Sequence, residues 1–549
     1  MTSVELTDVT FAYTSRPLLN HISLHVGAGE RACLVGPNGC GKTTLLQLIT
    51  GEITPDNGKI VMHPANDASR SHAFNFKVTR RHTTVEDFFN HSLSDLYALL
   101  SRFDEVTAGL ACSPNDPMLA SEYDSLLTQM SSTDVWSIDA RIDETLAGLG
   151  LPQLAGAGRS RHLHSLSPGQ RVRLELTALL VSRPDVLVLD EPTNHLDKDG
   201  SNFLVRMLMD WSGPVILASH DRAFINKVAT VIYDLDIASW QALATASGLD
   251  TIPGAYRCQG NYSDYLVAKT HAREAHKQLH SSQQVEKRSI QAHRASSQSI
   301  AQGGSHMKTA TGMARKFYSD RATSTAARRI RNDDRRLDDL KNREVRKLRT
   351  YDLRLDFADA PTQTGVAVSA RNATLLRRLQ EVTFDLMHGE HLLITGPNGA
   401  GKSTLVNWIA TGAPPTMAHG DASGTITRDD RLVLIPQRLP QQGDPGFTET
   451  VWNEGIGQMG TGIIHPSMWN IPVSALSAGN QRRAQIAVAI AKQPAILLID
   501  EPTNYLDLNT IEAFEDAISE WSGTLIIVSH DQWLIDKWRG KRLCLGSSA

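Results

Sequence analysis

The sequence predicts an α/β fold built twice, with two copies of one parallel-sheet domain joined by a long α-helical hairpin. Three observations carry this expectation. Short motifs recur in the same order in both halves of the 549 residues, the spacings between them match, and the segment between the halves differs in charge and apolar pattern.

Gly36-Pro-Asn-Gly-Cys-Gly-Lys-Thr43 recurs as Gly396-Pro-Asn-Gly-Ala-Gly-Lys-Ser403, and Leu166-Ser-Pro-Gly-Gln170 as Leu476-Ser-Ala-Gly-Asn480. Asp190-Glu-Pro-Thr-Asn-His-Leu-Asp197 recurs as Asp500-Glu-Pro-Thr-Asn-Tyr-Leu-Asp507, and Ser219-His-Asp221 as Ser529-His-Asp531. Ser167 to Asp190 and Ser477 to Asp500 are both 23 residues; Asp190 to His220 and Asp500 to His530 are both 30. Lys42 to Ser167 is 125 residues against 75 from Lys402 to Ser477, so the first copy carries about 50 more. Their expected seat is roughly 90–139, where Leu96-Tyr-Ala-Leu-Leu100 and Tyr123-Asp-Ser-Leu-Leu127 have helical apolar spacing. This is either a surface insertion or an arm that touches a partner.

Residues 264–350 hold 20 Lys and Arg against 9 Asp and Glu, a net of +11 in a chain whose total is −4. Leu266, Leu279, Ile330, Leu337, Leu340 and Leu348 are sparse and spaced for helices, while 296–312 holds the Gly and Ser that break one. Two helices of about 35 residues folded back at that loop would reach roughly 50 Å. A charged spacer is one reading; so large a positive charge in an otherwise acidic chain is better matched to a polyanionic partner.

The bulk numbers fit a folded cytoplasmic protein, with 41% hydrophobic and 21% charged residues. No run approaches about 18 apolar residues, so no membrane-spanning helix is expected. The first residues have neither a basic nor an apolar signal region. Five cysteines without a CxxC pair suit a reducing compartment and argue against disulfides or a zinc site, and His162 and His164 read as a solvated loop.

The chemistry follows from the motifs. A GxxxxGK[ST] run after a strand and opening a helix points backbone N–H groups at phosphates, at the positive end of the helix dipole. That assigns nucleotide contacts to Gly36, Pro37, Asn38, Gly39, Cys40, Gly41, Lys42, Thr43 and Thr44, and to Gly396, Pro397, Asn398, Gly399, Ala400, Gly401, Lys402, Ser403 and Thr404. The two lysines neutralise β/γ-phosphate charge, and Thr43 and Ser403 ligate Mg²⁺. Val186-Leu-Val-Leu-Asp190 and Ile496-Leu-Leu-Ile-Asp500 read as buried parallel strands ending in Mg²⁺-holding acids. Glu191 and Glu501 stand one residue on, where a carboxylate can orient and polarise water. His220 and His530 end further strands, placed for the γ-phosphate and that water.

Leu-Ser-x-Gly followed 23 residues later by Asp-Glu-Pro-Thr-Asn resembles the signature and Walker B of ATP-binding cassette proteins, in both copies. The resemblance implies head-to-tail pairing within one chain, which would function as a monomer. One ATP would lie between the first phosphate loop and Ser477, Gly479 and Asn480. The other would lie between the second loop and Ser167, Gly169 and Gln170. Three departures stand out. Tyr13 can stack on adenine, but an offset of 360 puts Ala373 opposite it. Gln437 matches the glutamine loop that reaches Mg²⁺, where the first copy offers Asn75. Pro168 and Ala478 replace the second signature glycine. Two competent but unequal ATP sites are expected.

Two fused cassettes, a basic linker, an insertion in the first cassette and Gly260-Asn-Tyr-Ser263 leading into the linker together resemble the ABC-F family. The domains expected are 1–262, 263–352 and 353–549. The family implies binding near the tRNA exit site of the bacterial ribosome, the linker reaching toward P-site tRNA and the peptidyl-transferase centre. Arg315, Lys316, Arg321, Arg328, Arg329 and Arg331 are the expected contacts to rRNA and tRNA phosphates. Met307, Met313, Phe317 and Tyr318 either touch bases or pack the hairpin seam. The looser signatures, the missing second stacking aromatic and the Gly/Ser-containing tip look more like the antibiotic-resistance group, which dislodges macrolides, lincosamides or streptogramins. A general translation factor and a transporter ATPase subunit are the alternatives, the latter disfavoured by the basic hairpin.

Overall fold

The computed structural model describes residues 2–546 apart from 16, 64–82, 195, 248–251, 253, 304–311, 348–363, 377, 398 and 415–421. The side chains of 132, 299–303 and 313–323 also lie outside the description.

Among the described residues, each half builds one five-stranded and one three-stranded sheet. In the first, the order is Leu187–Asp190, Val215–Ala218, Arg31–Val35, Val231–Asp234 and Tyr256–Gln259, the first four parallel and the last antiparallel. In the second it is Leu432–Ile435, Ile496–Asp500, Thr524–Val528, His391–Thr395 and Lys541–Cys544, all parallel. These strands are short apolar runs because both faces are covered. Helix Lys42–Thr50 packs Leu45, Leu46, Leu48 and Ile49 on one face, and Pro168–Ser182 packs Leu176, Leu179 and Leu180 on the other. Lys402–Thr411 and Ala478–Ala491 repeat the arrangement. In each sheet the phosphate-loop strand is separated from the strand that ends in Asp190 or Asp500 by one strand, Val215–Ala218 or Thr524–Val528. All three run parallel, so loop, acids and histidine emerge at the same carboxyl edge.

The small sheets are antiparallel, and their registers correct one sequence alignment. Phe11 pairs with Leu19 and Val9 with Ile22; Leu375 pairs with Leu379 and Ala373 with Val382. Ala373 is thus the counterpart of Val9, fully buried, rather than of Tyr13. The hairpin loop is four residues longer in the first copy, which a fixed offset cannot see. Two positions past Leu375 stands Arg377, outside the described residues.

The extra residues of the first copy form helices Ser94–Cys112 and Pro117–Thr133, whose Leu96, Tyr97, Leu99, Leu100 and Met130 pack onto Phe88, Phe89 and Ile142. Between the halves run helices Tyr262–Gly303 and Met313–Asn342. The first continues seven residues beyond the start of the expected 296–312 loop. The residues from 297 to 302 cost a helix little, and the helix runs to Gly303, the last described residue before 304–311. His293 and Asp333 meet across the pair at 2.7 Å, and Arg294 and Asp334 at 3.1 Å. At 42 residues the first helix is roughly 60 Å long. Its base is buried in both halves. Lys269 ion-pairs with the fully buried Asp234 of the first at 3.1 Å, and Tyr262 donates to Glu512 of the second at 3.2 Å. Among the described residues, no helix is long and apolar enough to cross a membrane.

Candidate functional site

The phosphate loops turn tightly because their glycines take positive φ: 151°, 81° and 100° at Gly36, Gly39 and Gly41, and 149°, 86° and 94° at Gly396, Gly399 and Gly401. A Cβ on Gly401 would run into the carbonyl oxygen of Arg378. Gly41 and Gly401 begin their helices without a side-chain cap, leaving first-turn N–H groups able to receive an anion. Lys42 Nζ donates to the carbonyl oxygens of Gly36 at 2.8 Å and Pro37 at 3.2 Å; Lys402 does the same to Gly396 at 2.8 Å and Pro397 at 2.9 Å. This cradle, with its buried ammonium, has the donor set a polyphosphate requires.

Beside each loop stand two acids. Burial raises the Asp190 carboxyl, opposed by a hydrogen bond from Thr43 and the charge of Lys42. Burial raises Asp500 too, against Arg482 and Lys402. A hydroxyl paired with a carboxylate is a hard oxygen set suited to Mg²⁺. Glu191 and Glu501 take φ values of 47° and 51°, a conformation costing about 1–3 kcal/mol and held here by N–H bonds to Ala218 and Val528.

Each strained glutamate faces a histidine. The His220 N–H donates to Glu191 Oε2 at 3.2 Å, and His220 Nε2 lies 3.3 Å from Glu191 Oε1. The second pair repeats this at 3.3 and 3.6 Å between His530 and Glu501. Burial pushes Glu191 up to about 7 and Glu501 up to about 8. Burial, with Lys42 or Lys402 close by, pushes both histidines down to about 4. Near neutral pH the imidazoles are therefore uncharged, and the glutamates sit in the range where a general base is most effective.

The two halves meet head to tail. Gly479 is buried against the first phosphate loop, where a Cβ would collide with the Asn38 side chain. Asn38 Nδ2 donates to the Tyr505 carbonyl at 2.7 Å, and the Asn38 N–H to Asp507 Oδ2 at 3.2 Å. Lys42, Thr43, Glu191, Lys402, Ser403 and Glu501 line one cleft of about 1280 Å³. That exceeds the roughly 300–1,000 Å³ of a single ligand pocket, as a cleft serving two loops must. Asp190, Asp500, both histidines, Thr44, Thr404, Gln437, Ser477 and Gly479 also line it.

Other expected residues are placed elsewhere. Ser167 and Gln170 satisfy one another in a capping box at the start of Pro168–Ser182, and with Gly169 they are not among the lining residues. Asn480 turns toward Met468 of its own half. Tyr13 is 62% exposed, packed edge-on against Phe11. Asn75 and Asn398 lie outside the described residues.

Sequence reading missed Arg482. Fully buried, it donates to the carbonyl oxygens of Pro436, Asp500 and Glu501 and to Gln485 Oε1. One guanidinium thus ties the signature helix to the residue before Gln437 and to both acids. The signal was available: the repeat places exposed Val172 where the second copy has arginine.

Fold and site together define a tandem P-loop ATPase whose two nucleotide-binding cassettes pair within one chain. The ABC transporter family model matches residues 19–194 and 379–504, and the chain belongs to that family, in its ABC-F branch of fused cassettes. It is similar to the tylosin resistance ATP-binding protein TlrC of Streptomyces fradiae, at 30% identity over 98% of this chain and 96% of that one. It also resembles the energy-dependent translational throttle protein EttA of Mycobacterium tuberculosis (strain CDC 1551 / Oshkosh), at 26% over 96% and 88%. In fold it matches a chain in the crystal structure of archaeal ribosomal stalk protein aP1 with archaeal ribosome recycling factor aABCE1. The TM-score is 0.50 and the identity 16%, covering 98% of this chain and 87% of that one.

Proposed function

We propose that the chain is an ATP-gated ribosome-binding protein that uses its linker to dislodge macrolide-, lincosamide- or streptogramin-type antibiotics. The observation that carries this reading is the long hairpin, rooted in both cassettes at its base and basic along its length. Arg328, Arg329 and Arg331 on Met313–Asn342 are exposed and available to phosphates. Arg315, Lys316 and Arg321 fall on the same helix; their side chains, and Met307, lie outside the described residues. Similarity along nearly the whole chain to a tylosin resistance protein supports the antibiotic half of the proposal. Rooted at the cassette pair, the linker would act from the tRNA exit site toward P-site tRNA and rRNA. On this reading 1–262 and 353–549 are the paired cassettes, 263–352 is the effector, and one chain suffices.

At each site the loop N–H groups and Lys42 or Lys402 hold the β- and γ-phosphates of ATP. Thr43 with Asp190, and Ser403 with Asp500 and Gln437, would hold Mg²⁺, which supplies charge neutralisation when bound. Ser477 and Gly479 add donors across the interface to the nucleotide at the first loop. Glu191 or Glu501 accepts a proton from the attacking water, and the neutral histidine beside it fixes the carboxylate and reaches the γ-phosphate. Hydrolysis removes the phosphate that both halves grip, and the halves part.

The test is cell-free translation inhibited by tylosin, a lincosamide or a streptogramin, with and without the purified protein. Restored synthesis is expected, and the E191Q/E501Q double variant should not restore it catalytically. Failure against all three classes would leave the second reading, a general translation factor, which the likeness to a translational throttle protein favours.

A further inference from the structure

The two histidine loops are joined by a single residue that the repeat does not share. Arg222 stands two residues after His220, at the start of helix Arg222–Val228, and is 1% exposed. Its guanidinium crosses to the other cassette. Nη1 donates to Glu515 Oε2 at 2.9 Å, and Nη2 to Glu515 Oε1 and to Asp531 Oδ2, the latter at 3.0 Å. The Trp533 ring lies beneath it at 5.8 Å. Asp531 directly follows His530, and its other oxygen caps helix Gln532–Lys537 through the Trp533 and Leu534 N–H groups. A bidentate arginine–carboxylate fork with a second carboxylate fixes orientation as well as distance.

Among the described residues the mirror arrangement does not exist. At the repeat offset of 310 residues that relates His220 to His530, Gln532 replaces Arg222, Val205 replaces Glu515 and Ala223 replaces Trp533. Gln532 bonds Asp536 on its own helix, and Val205 is buried in its own core. The first cassette therefore supplies a cation to the second cassette's histidine loop, and no described residue returns one to its own. Glu515 also belongs to helix Leu508–Glu520, whose N-cap Asp507 accepts the Asn38 N–H, so bridge and phosphate-loop contact share one rigid element.

We infer that Arg222 is a positioning residue for the second ATP site: through Asp531 it sets the backbone that holds His530 against Glu501, so that this site fires only when the first cassette is docked. The inference rests on the reading of Glu191 and Glu501 as the two water-orienting carboxylates. First-site hydrolysis has no such dependence, because no described residue across the interface holds Asp221 in the same way.

The experiment is single-turnover hydrolysis of preloaded Mg²⁺–ATP by the full chain in two backgrounds. E191Q leaves the second site active, and E501Q leaves the first. Adding R222Q, which copies the second cassette's own residue, should slow the E191Q background at least tenfold and the E501Q background less than twofold; R222K should recover part of the loss. Equal slowing of both sites would assign Arg222 to docking alone and overturn the inference, as would no effect or an effect on the first site only. If neither E191Q nor E501Q alone removes half of the hydrolysed ATP, the carboxylate reading fails instead, a result separate from any effect of Arg222. A melting curve of R222Q within a few degrees of the parent excludes misfolding; if it drops further, R222K carries the same comparison.

Discussion

The side-chain amide of Asn38 donates to the backbone carbonyl of Tyr505 at 2.7 Å, joining positions 467 residues apart and one cassette to the other. With Asn38 N–H on Asp507 and Gly479 packed beneath, the first phosphate loop is built against the second cassette's signature. Gly479→Ala places a methyl group against Asn38 and should lower kcat/KM for ATP by about tenfold, a transition-state loss near 1.4 kcal/mol. Gly169→Ala, at the half-buried mirror position, should cost less. Steady-state phosphate release compares the two.

Gly401→Ala should fail at an earlier step. Its φ of 94° is strained for alanine, and the new methyl group meets the Arg378 carbonyl. Strain of about 1–3 kcal/mol must deform the second loop. Binding of a fluorescent ATP analogue should fall to one site per chain, whereas an intact stoichiometry of two would refute the placement.

Arg482→Met removes a buried cation that serves three carbonyl oxygens. Leaving such acceptors unsatisfied costs about 1–3 kcal/mol each. The variant should melt several degrees lower and lose turnover, since Asp500 and Glu501 lose their backbone anchor. Thermal unfolding followed by an ATPase assay separates the two effects. Val172→Met, on the exposed face of the first signature helix, should change neither.

Replacing Arg328, Arg329 and Arg331 with glutamate should leave folding intact because all three are exposed. Ribosome affinity should fall, and the slope of log K against log salt should flatten by roughly 0.7–0.9 for each phosphate no longer neutralised. Filter binding over a salt series measures both.

Much of this site was legible because its residues lie within short motifs on single loops. Gly36 to Thr43, Asp190 with Glu191, and His220 each stand next in sequence to the strand that aims them. What crossed between distant segments was legible for Gly479, through the family resemblance, but not for the buried arginines. Arg482 and Val172 occupy one repeat position, yet only packing reveals that the arginine reaches Pro436 and Glu501. Arg222 looks like a surface cation until Glu515 and Asp531 surround it. Ala373 was misplaced opposite Tyr13 because a hairpin four residues longer shifts a fixed offset. The helix Tyr262–Gly303 runs into the expected loop because isolated serines and glutamines do not stop a helix.

The most direct measurement is co-sedimentation of the E191Q/E501Q chain with bacterial ribosomes in Mg²⁺–ATP, in ADP and without nucleotide. An ATP-gated binder predicts near-stoichiometric recovery with ATP, at least tenfold less in the other two conditions, and loss of recovery when the linker arginines are reversed. Equal recovery in all three states, or none with ATP, would contradict the account.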